Sequence, residues 1–264
     1  MTSLDEEIAL AERLARKAGT VILPHFRAPG QIQIKNKASG DGNFDPVTQA
    51  DHSAEAAIRE LLVAMRPHDG VEGEEMAARP SRSGRHWVID PIDGTRAFIA
   101  GLPLWGVLIA LNDGARPIVG VGYQPWLDEL FVGSAQGSRL NGQPLKTRDC
   151  RSLAQARLAT TDTALFSSAA EQAAFEALSA RAQFRRLGLD WYAYAMLAAG
   201  HIDLVVESGL KAHDVQALIP LVEGAGGLFT DWRGGDAQAG GQVVAAATAA
   251  LLEQALAILK PAAA

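Results

Sequence analysis

The sequence predicts an α/β protein of the α+β type. Three observations point there. Apolar residues recur at helical spacing over 4–26 and 51–66. The pattern then switches to strand-like runs between 87 and 133, and from 157 onward helices and strands alternate. In the first segment, Ser3 followed by Glu6 fits a capping box, and Leu4, Ile8, Leu14, Ala18 and Ile22 predict a helix over 4–26. Residues 28–46 are rich in Gly, Pro, Asn and Asp and read as loop, with a short strand near Ile32–Lys35. Ile58, Leu61, Leu62 and Met65 form the apolar face of a second helix, 51–66, stopped by Pro67.

VEGEEM reads as a Gly-containing loop. WVI (87–89), LWGVLIAL, RPIVGVGYQP and ELFVG read as strands, with turns at Asn112-Asp113-Gly114 and Asn141-Gly142, so the first half is two helices followed by a largely antiparallel sheet. In the second half RLAT, IDLVVE, LFTDW and QVVAAA read as strands. Residues 168–181, 190–200, 214–225 and 248–259 read as helices, the third carrying Pro220 and therefore a possible kink. The tail PAAA is expected to fray. A soft boundary near 145–155 separates an N-terminal lobe, 1–150, from a C-terminal lobe, 151–264.

Composition narrows the function. Apolar residues make up 48%, charged residues 20%, and the net charge is −6. That balance argues against nucleic acid or an anionic membrane as the main partner, and no basic stripe accompanies Trp105, Trp126, Trp191 and Trp232. The N-terminus is acidic where a signal peptide would be basic, and no apolar run reaches the roughly 20 residues of a membrane span. The lone Cys150 excludes an intrachain disulfide and has no reactive signature around it. A cytoplasmic setting is expected.

The chemistry is concentrated in acids. In WVIDPIDGT, Asp90 and Asp93 follow a buried apolar run. Two carboxylates so placed need a basic neighbour, a shared proton or a metal. Arg96 is the plain ion-pair reading. Gly94-Thr95 looks like a strand end turning into a helix start, where amides can hold a phosphate oxygen. Glu74 and Glu75 lie in VEGEEM; Asp51 and Asp214 lie at helix starts, where each alone would be read as a cap. Oxygen donors without cysteine suit Mg²⁺.

GEE, then DPIDGT, then a helix-starting Asp after Gly-Leu-Lys resembles the inositol monophosphatase family over roughly residues 5–260. The resemblance implies a layered αβαβα sandwich, a Mg²⁺-dependent phosphomonoesterase binding two or three ions, and a homodimer. It further implies that Glu74, Asp90 and the carbonyl of Ile92 hold one ion, that Asp90, Asp93 and Asp214 hold another, and that Glu74 is thereby part of the catalytic set. Asp51 and Thr95 would orient and deprotonate the attacking water, the Gly94 and Thr95 amides would bind phosphate, and Glu75 would stand outside the ligand set.

The late segment is most similar to the histidinol-phosphate phosphatase branch, notably ALIPLVEGAGGLFTDWRG and FIAGLPLWGVLIAL. Histidinol carries an ammonium and an imidazole, so its pocket should offer extra carboxylates. Asp190 and Glu207 are the candidates, against an N-cap for Asp190 and a solvated strand end for Glu207. Arg185 is read either as a substrate contact or as a surface arginine. His213 stands where relatives carry an aromatic and is read as packing, against the alternative of a local pKa switch. The rival substrates are inositol-1-phosphate and sugar phosphates with the same mechanism. A nucleotide 3′-phosphatase would need a basic patch that the sequence lacks. A non-catalytic scaffold is disfavoured because Glu74, Asp90, Asp93, Thr95 and Asp214 are all present.

Overall fold

The computed structural model describes residues 3–28, 34–36 and 46–264. Helix α1 (Leu4–Ile22) starts at the expected capping box. Ser3 Oγ accepts from the Glu6 amide, and the Glu6 carboxylate accepts from the Ser3 amide. It ends four residues early, in a 3₁₀ turn over Leu23–His25 that contains Pro24. Strands β1 (Ile34–Asn36) and β2 (Pro46–Thr48) pair antiparallel. Of the expected loop and short strand, residues 29–33 and 37–45 lie outside the described residues.

Helix α2 (Gln49–Met65) begins two positions before the expected start because Thr48 is its N-cap. Then come β3 (Gly70–Gly73), β4 (His86–Asp93), α3 (Thr95–Ile99), β5 (Gly106–Asn112), β6 (Pro117–Gln124), β7 (Glu129–Ser134), β8 (Gly137–Leu140) and β9 (Gln143–Pro144). These seven strands form one sheet in chain order, antiparallel except for the edge pair β3–β4. The VEG of VEGEEM is therefore strand rather than loop, and Glu74 follows directly at its end.

The second sheet has the order β11-β10-β12-β14-β13. Its strands are β10 (Arg157–Thr160), β11 (Phe184–Leu187), β12 (Leu204–Lys211), β13 (Leu228–Asp231) and β14 (Gly240–Ala246), with helices α4 (Ala169–Ser179), α5 (Tyr192–Ala198), α6 (Ala212–Val215), α7 (Leu218–Gly224) and α8 (Ala249–Leu259) between and after them. The expected helix over 190–200 is shorter, and 214–225 is two helices, not one with a kink. The break falls at Gln216–Ala217, and Pro220 sits in the first turn of α7, where a missing N–H costs no helical bond. The tail does not fray: Lys260–Ala262 form a 3₁₀ turn and the Ala264 amide donates to Gln242.

Helices α1 and α2 cover one face of the large sheet. Helices α5, α6 and α7 lie between the two sheets, and α4 and α8 pack together with α8 against β14 on the far face of the second. This is the αβαβα sandwich. It explains why β5 is buried at every position. Val107, Ile109 and Leu111 face the core under α1 and α2, whereas Leu108 and Ala110 face the core shared with α5 and α7. The middle layer docks closely because glycine gives it room. A Cβ on Gly106 or Gly122 would lie 2.4 or 2.3 Å from the indole of Trp191. That contact fixes the residue next to Asp190 against the first sheet. Among the described residues, no helix is long and apolar enough to cross a membrane.

Candidate active site

In a regular strand, residues three apart point to opposite faces. Asp90 and Asp93 do not, because the β4–β5 ladder is irregular between them. Asp90 pairs with Leu108 and Asp93 with Gly106, so three steps on β4 match two on β5. Pro91 sits in the irregularity, and the Ile92 amide donates to Asp90 Oδ1 at 3.0 Å. The chain then turns through Gly94, whose φ of +79° is a left-handed conformation that a side chain would oppose. A Cβ there would also press on Trp105 and on the Asp190 carboxyl carbon, 3.3 Å away. Thr95 opens α3, and its hydroxyl donates to the Ile92 carbonyl at 3.1 Å.

Two groups of ligand-type atoms assemble around this turn, each with its atoms within 4.8 Å of one another: Glu74, Asp90 and His213, and Asp90, Asp93 and Asp214. Asp90 belongs to both. Burial pushes its carboxyl well above the usual range, reinforced by Glu74, Asp93, Asp214 and Asp51. Burial does the same to Asp93, with Asp190 and Asp214 adding repulsion and the Trp191 amide opposing at 2.8 Å. Asp214 is also raised by burial, against the pull of His213. A divalent cation would supply the positive charge that offsets this repulsion, and the oxygen-rich donor set fits one. Two donors on opposite sides of such an ion lie about 4.2 Å apart, so the spacing needs little adjustment.

Asp51 shows both roles open to it from the sequence. It is the third residue of α2, and its Oδ2 accepts from the Thr48 amide at 2.9 Å and hydroxyl at 2.6 Å, as a cap should. Its Oδ1 is fully buried and, among the described residues, has no hydrogen-bond partner. Burial raises its carboxyl, and the nearby Glu74 adds to the effect. Asp214 likewise closes the start of α6, accepting from the Lys211 amide at 2.6 Å.

The opposite wall is a cavity of about 120 Å³ lined by Asp93, Thr161, Asp190, Tyr194, Glu207 and Asp214, among others. Asp190 is not an N-cap. Helix α5 begins two residues later without a side-chain cap, and Asp190 itself has φ +49°, a strained conformation for a side-chain residue. Burial pushes its carboxyl up to about 6, although Arg96 pulls the other way. Nor is Glu207 a solvated strand end. It is 2% exposed, and its Oε1 accepts from the Thr161 amide and hydroxyl at 2.8 and 2.6 Å. Its Oε2 accepts from the Tyr194 hydroxyl at 3.2 Å, and burial raises it to about 7.

The structure does not bring Arg185 to this site. On exposed β11 its Nη1 donates to Glu176 at 3.1 Å and to Ser179 at 3.0 Å, on the α4 side. Two residues near the acids were not read as part of the site from the sequence. His213, read as packing, joins the first acid group. Glu55 is fully buried; its carboxylate accepts from the Glu75 amide at 2.8 Å and from Arg59 at 2.7 Å, and so anchors the GEE loop. Glu55 and Arg59 at i and i+4 was the available signal.

A sequence model of the inositol monophosphatase family matches residues 3–262. The chain is 42% identical over 236 residues to the bifunctional phosphatase IMPL2, chloroplastic, of Arabidopsis thaliana; the match covers 88% of this chain and 66% of that protein's length. It is 35% identical over 229 residues to a histidinol-phosphatase of Chlorobaculum parvum, covering 86% of each. The solved structure of an inositol monophosphatase from Zymomonas mobilis is similar with a TM-score of 0.87 and 42% identity, over 98% of this chain and 100% of that one. Sequence, layer order and the acid-lined turn after β4 agree: the chain belongs to the inositol monophosphatase family.

Proposed function

We propose that the chain hydrolyses the phosphate monoester of a cationic amino alcohol, L-histidinol phosphate, with Mg²⁺. Membership of the family makes it a phosphatase that uses divalent metal ions. The observation that carries the substrate reading is the cavity beside the acid groups. Asp190 and Glu207 line it, and no basic side chain does so among the described residues. Glu207 is kept at about 7 by burial, so an ammonium or imidazolium group would relieve a cost that a neutral polyol hydroxyl would relieve less. The 35% identical histidinol-phosphatase supports the same reading.

In this reading Glu74, Asp90 and the Ile92 carbonyl would hold one ion, and Asp90, Asp93 and Asp214 would hold a second. Asp90 belongs to both acid groups. Bound there, divalent ions lower the pKa of a water and neutralise charge on the phosphate and leaving oxygens. The residues do the rest. The Thr95 hydroxyl proton is committed to Ile92, so its oxygen accepts from the attacking water and orients it. Asp51 Oδ1, lacking a donor among the described residues, takes the proton. The Gly94 and Thr95 amides hold the phosphate, and Asp190 and Glu207 hold the amino alcohol beyond it.

Inositol-1-phosphate is the second reading, favoured by the 42% identity to the Zymomonas mobilis inositol monophosphatase. Phosphate release with Mg²⁺ separates the two. A kcat/KM for L-histidinol phosphate about a hundredfold above that for inositol-1-phosphate, about 2.7 kcal/mol, is the expected result. A flat or reversed ratio keeps the phosphatase and discards the substrate.

A further inference from the structure

His213 is partly buried, with 16% of its side chain exposed, on the four-residue helix α6. Its Nε2 lies 3.5 Å from Asp214 Oδ1, and a ring nitrogen lies within 4.8 Å of ligand oxygens of both Glu74 and Asp90. The other acid group contains oxygen donors only. Asp51 Oδ1, buried and without a partner among the described residues, lies close enough to Glu74 to feel its charge, so a buried acceptor without a donor stands near one member of this group.

We propose that His213 is a nitrogen ligand at the Glu74–Asp90 position, and that it makes this position prefer Mn²⁺ over Mg²⁺. The proposal rests on the reading of these acids as metal ligands. Mg²⁺ is a hard ion that favours oxygen, whereas imidazole binds first-row transition ions well, with affinity rising from Mn²⁺ onward. The two positions then differ in kind. The Asp90–Asp93–Asp214 position is an all-oxygen site that accepts either ion. The competing role for His213 is a protonated counterion of the acids, which would repel a metal instead of binding it.

Pulsed electron paramagnetic resonance of the full chain loaded with Mn²⁺ at one and two equivalents decides between them. The expected result is ¹⁴N modulation from a coordinated imidazole, converted to the ¹⁵N pattern by histidine labelling. His213→Gln should remove it and weaken Mn²⁺ binding about tenfold or more, with Mg²⁺ affinity, read by competition, changing less than about threefold. His52→Gln, whose ring faces Glu75 at 3.9 Å, should leave the modulation in place. Should His213→Gln not fold, the labelled wild-type spectrum and His52→Gln still report. Bound Mn²⁺ without nitrogen coupling, or coupling lost in His52→Gln, overturns the role of His213 and leaves the acid site standing. Failure of wild-type protein to bind Mn²⁺ at all overturns the acid site itself.

Discussion

On the wall formed by β4 and α2, burial is only partly matched by donors. Asp51 keeps one oxygen with no partner among the described residues, and Asp90 is surrounded by Glu74, Asp93 and Asp214. On the wall formed by β12 and α5, Glu207 is just as buried, yet the Thr161 amide, Thr161 hydroxyl and Tyr194 hydroxyl occupy both its oxygens. An oxygen left without a donor in a low-dielectric site calls for coordination. A carboxylate already held by donors has a fixed position, from which it gains by meeting a cationic group. Under the proposed function the two walls divide two tasks: cation binding on the first, recognition of a charged alcohol on the second.

The largest effect should come from breaking the first wall. Asp90→Asn removes the carboxylate common to both acid groups. It should lower kcat/KM by about a thousandfold or more, about 4 kcal/mol. It should also raise the thermal midpoint of the metal-free protein, since one of several repelling buried charges is gone. Calorimetry in chelator together with phosphate release checks both. Full residual turnover would falsify the bridging role.

Breaking the second wall should cost less and cost selectively. Asp190→Asn and Glu207→Gln keep the shape and most of the hydrogen bonds but remove the charge. Each is expected to lower kcat/KM for L-histidinol phosphate by about a hundredfold while inositol-1-phosphate changes only a few-fold. Equal losses on both substrates would return these acids to a general structural role.

The two walls also differ in how much the sequence showed. The first was legible because DPIDGT and GEE are contiguous and their chemistry is carried by residue type. Its geometry was not: only the irregular β4–β5 ladder turns residues three apart toward one group of ligands. The second wall depends on contacts between distant segments. Thr161 and Tyr194 meet Glu207 across 46 and 13 positions, which no local pattern reports. The same limit hid β11, whose four residues are all exposed and so lack the apolar signal of a buried strand. It also hid the break before α7, since Pro220 fits a helix's first turn as well as it marks a kink. His213 was read as packing because its partners, Glu74 and Asp90, are more than 120 positions away.

Glu171 carries the second pattern to its limit and gives a smaller effect, on stability. It lies across β12 from the site: Glu207 faces the cavity, and the next residue, Ser208, donates to Glu171 at 2.6 Å. Burial alone would raise its carboxyl. Hydrogen bonds from Ser208, Gln242, Ser168 and Ser167 outweigh that and lower it to about 2. With a folded pKa below the unfolded one, its contribution is complete above about pH 4.5. It declines as pH falls toward about 2, because the unfolded chain takes up the proton first. Glu171→Gln should lose about 1.5–3 kcal/mol at pH 7, and the gap from wild type should shrink at pH 3. Urea midpoints at the two pH values test this; a gap that does not change would mean that the ionised form is not what the four donors stabilise.

The smallest effect separates a residue's chemistry from its place. Arg185 was a reasonable substrate contact by type, five positions before Asp190. The chain between them passes through Gly188, at φ +74°, and Asp190, at φ +49°, and the two side chains end on different sides of the second sheet's edge strand. Arg185 pairs with Glu176, an exposed partner, and such pairs contribute about 0–1 kcal/mol. Arg185→Ala should therefore leave kcat/KM for both phosphates within about twofold and shift stability by less than about 1 kcal/mol. A loss on L-histidinol phosphate comparable to that of Asp190→Asn would require the guanidinium to leave Glu176 and swing toward the cavity on binding. The second wall would then be a mixed-charge surface, and the proposed preference for a cationic alcohol would need another source.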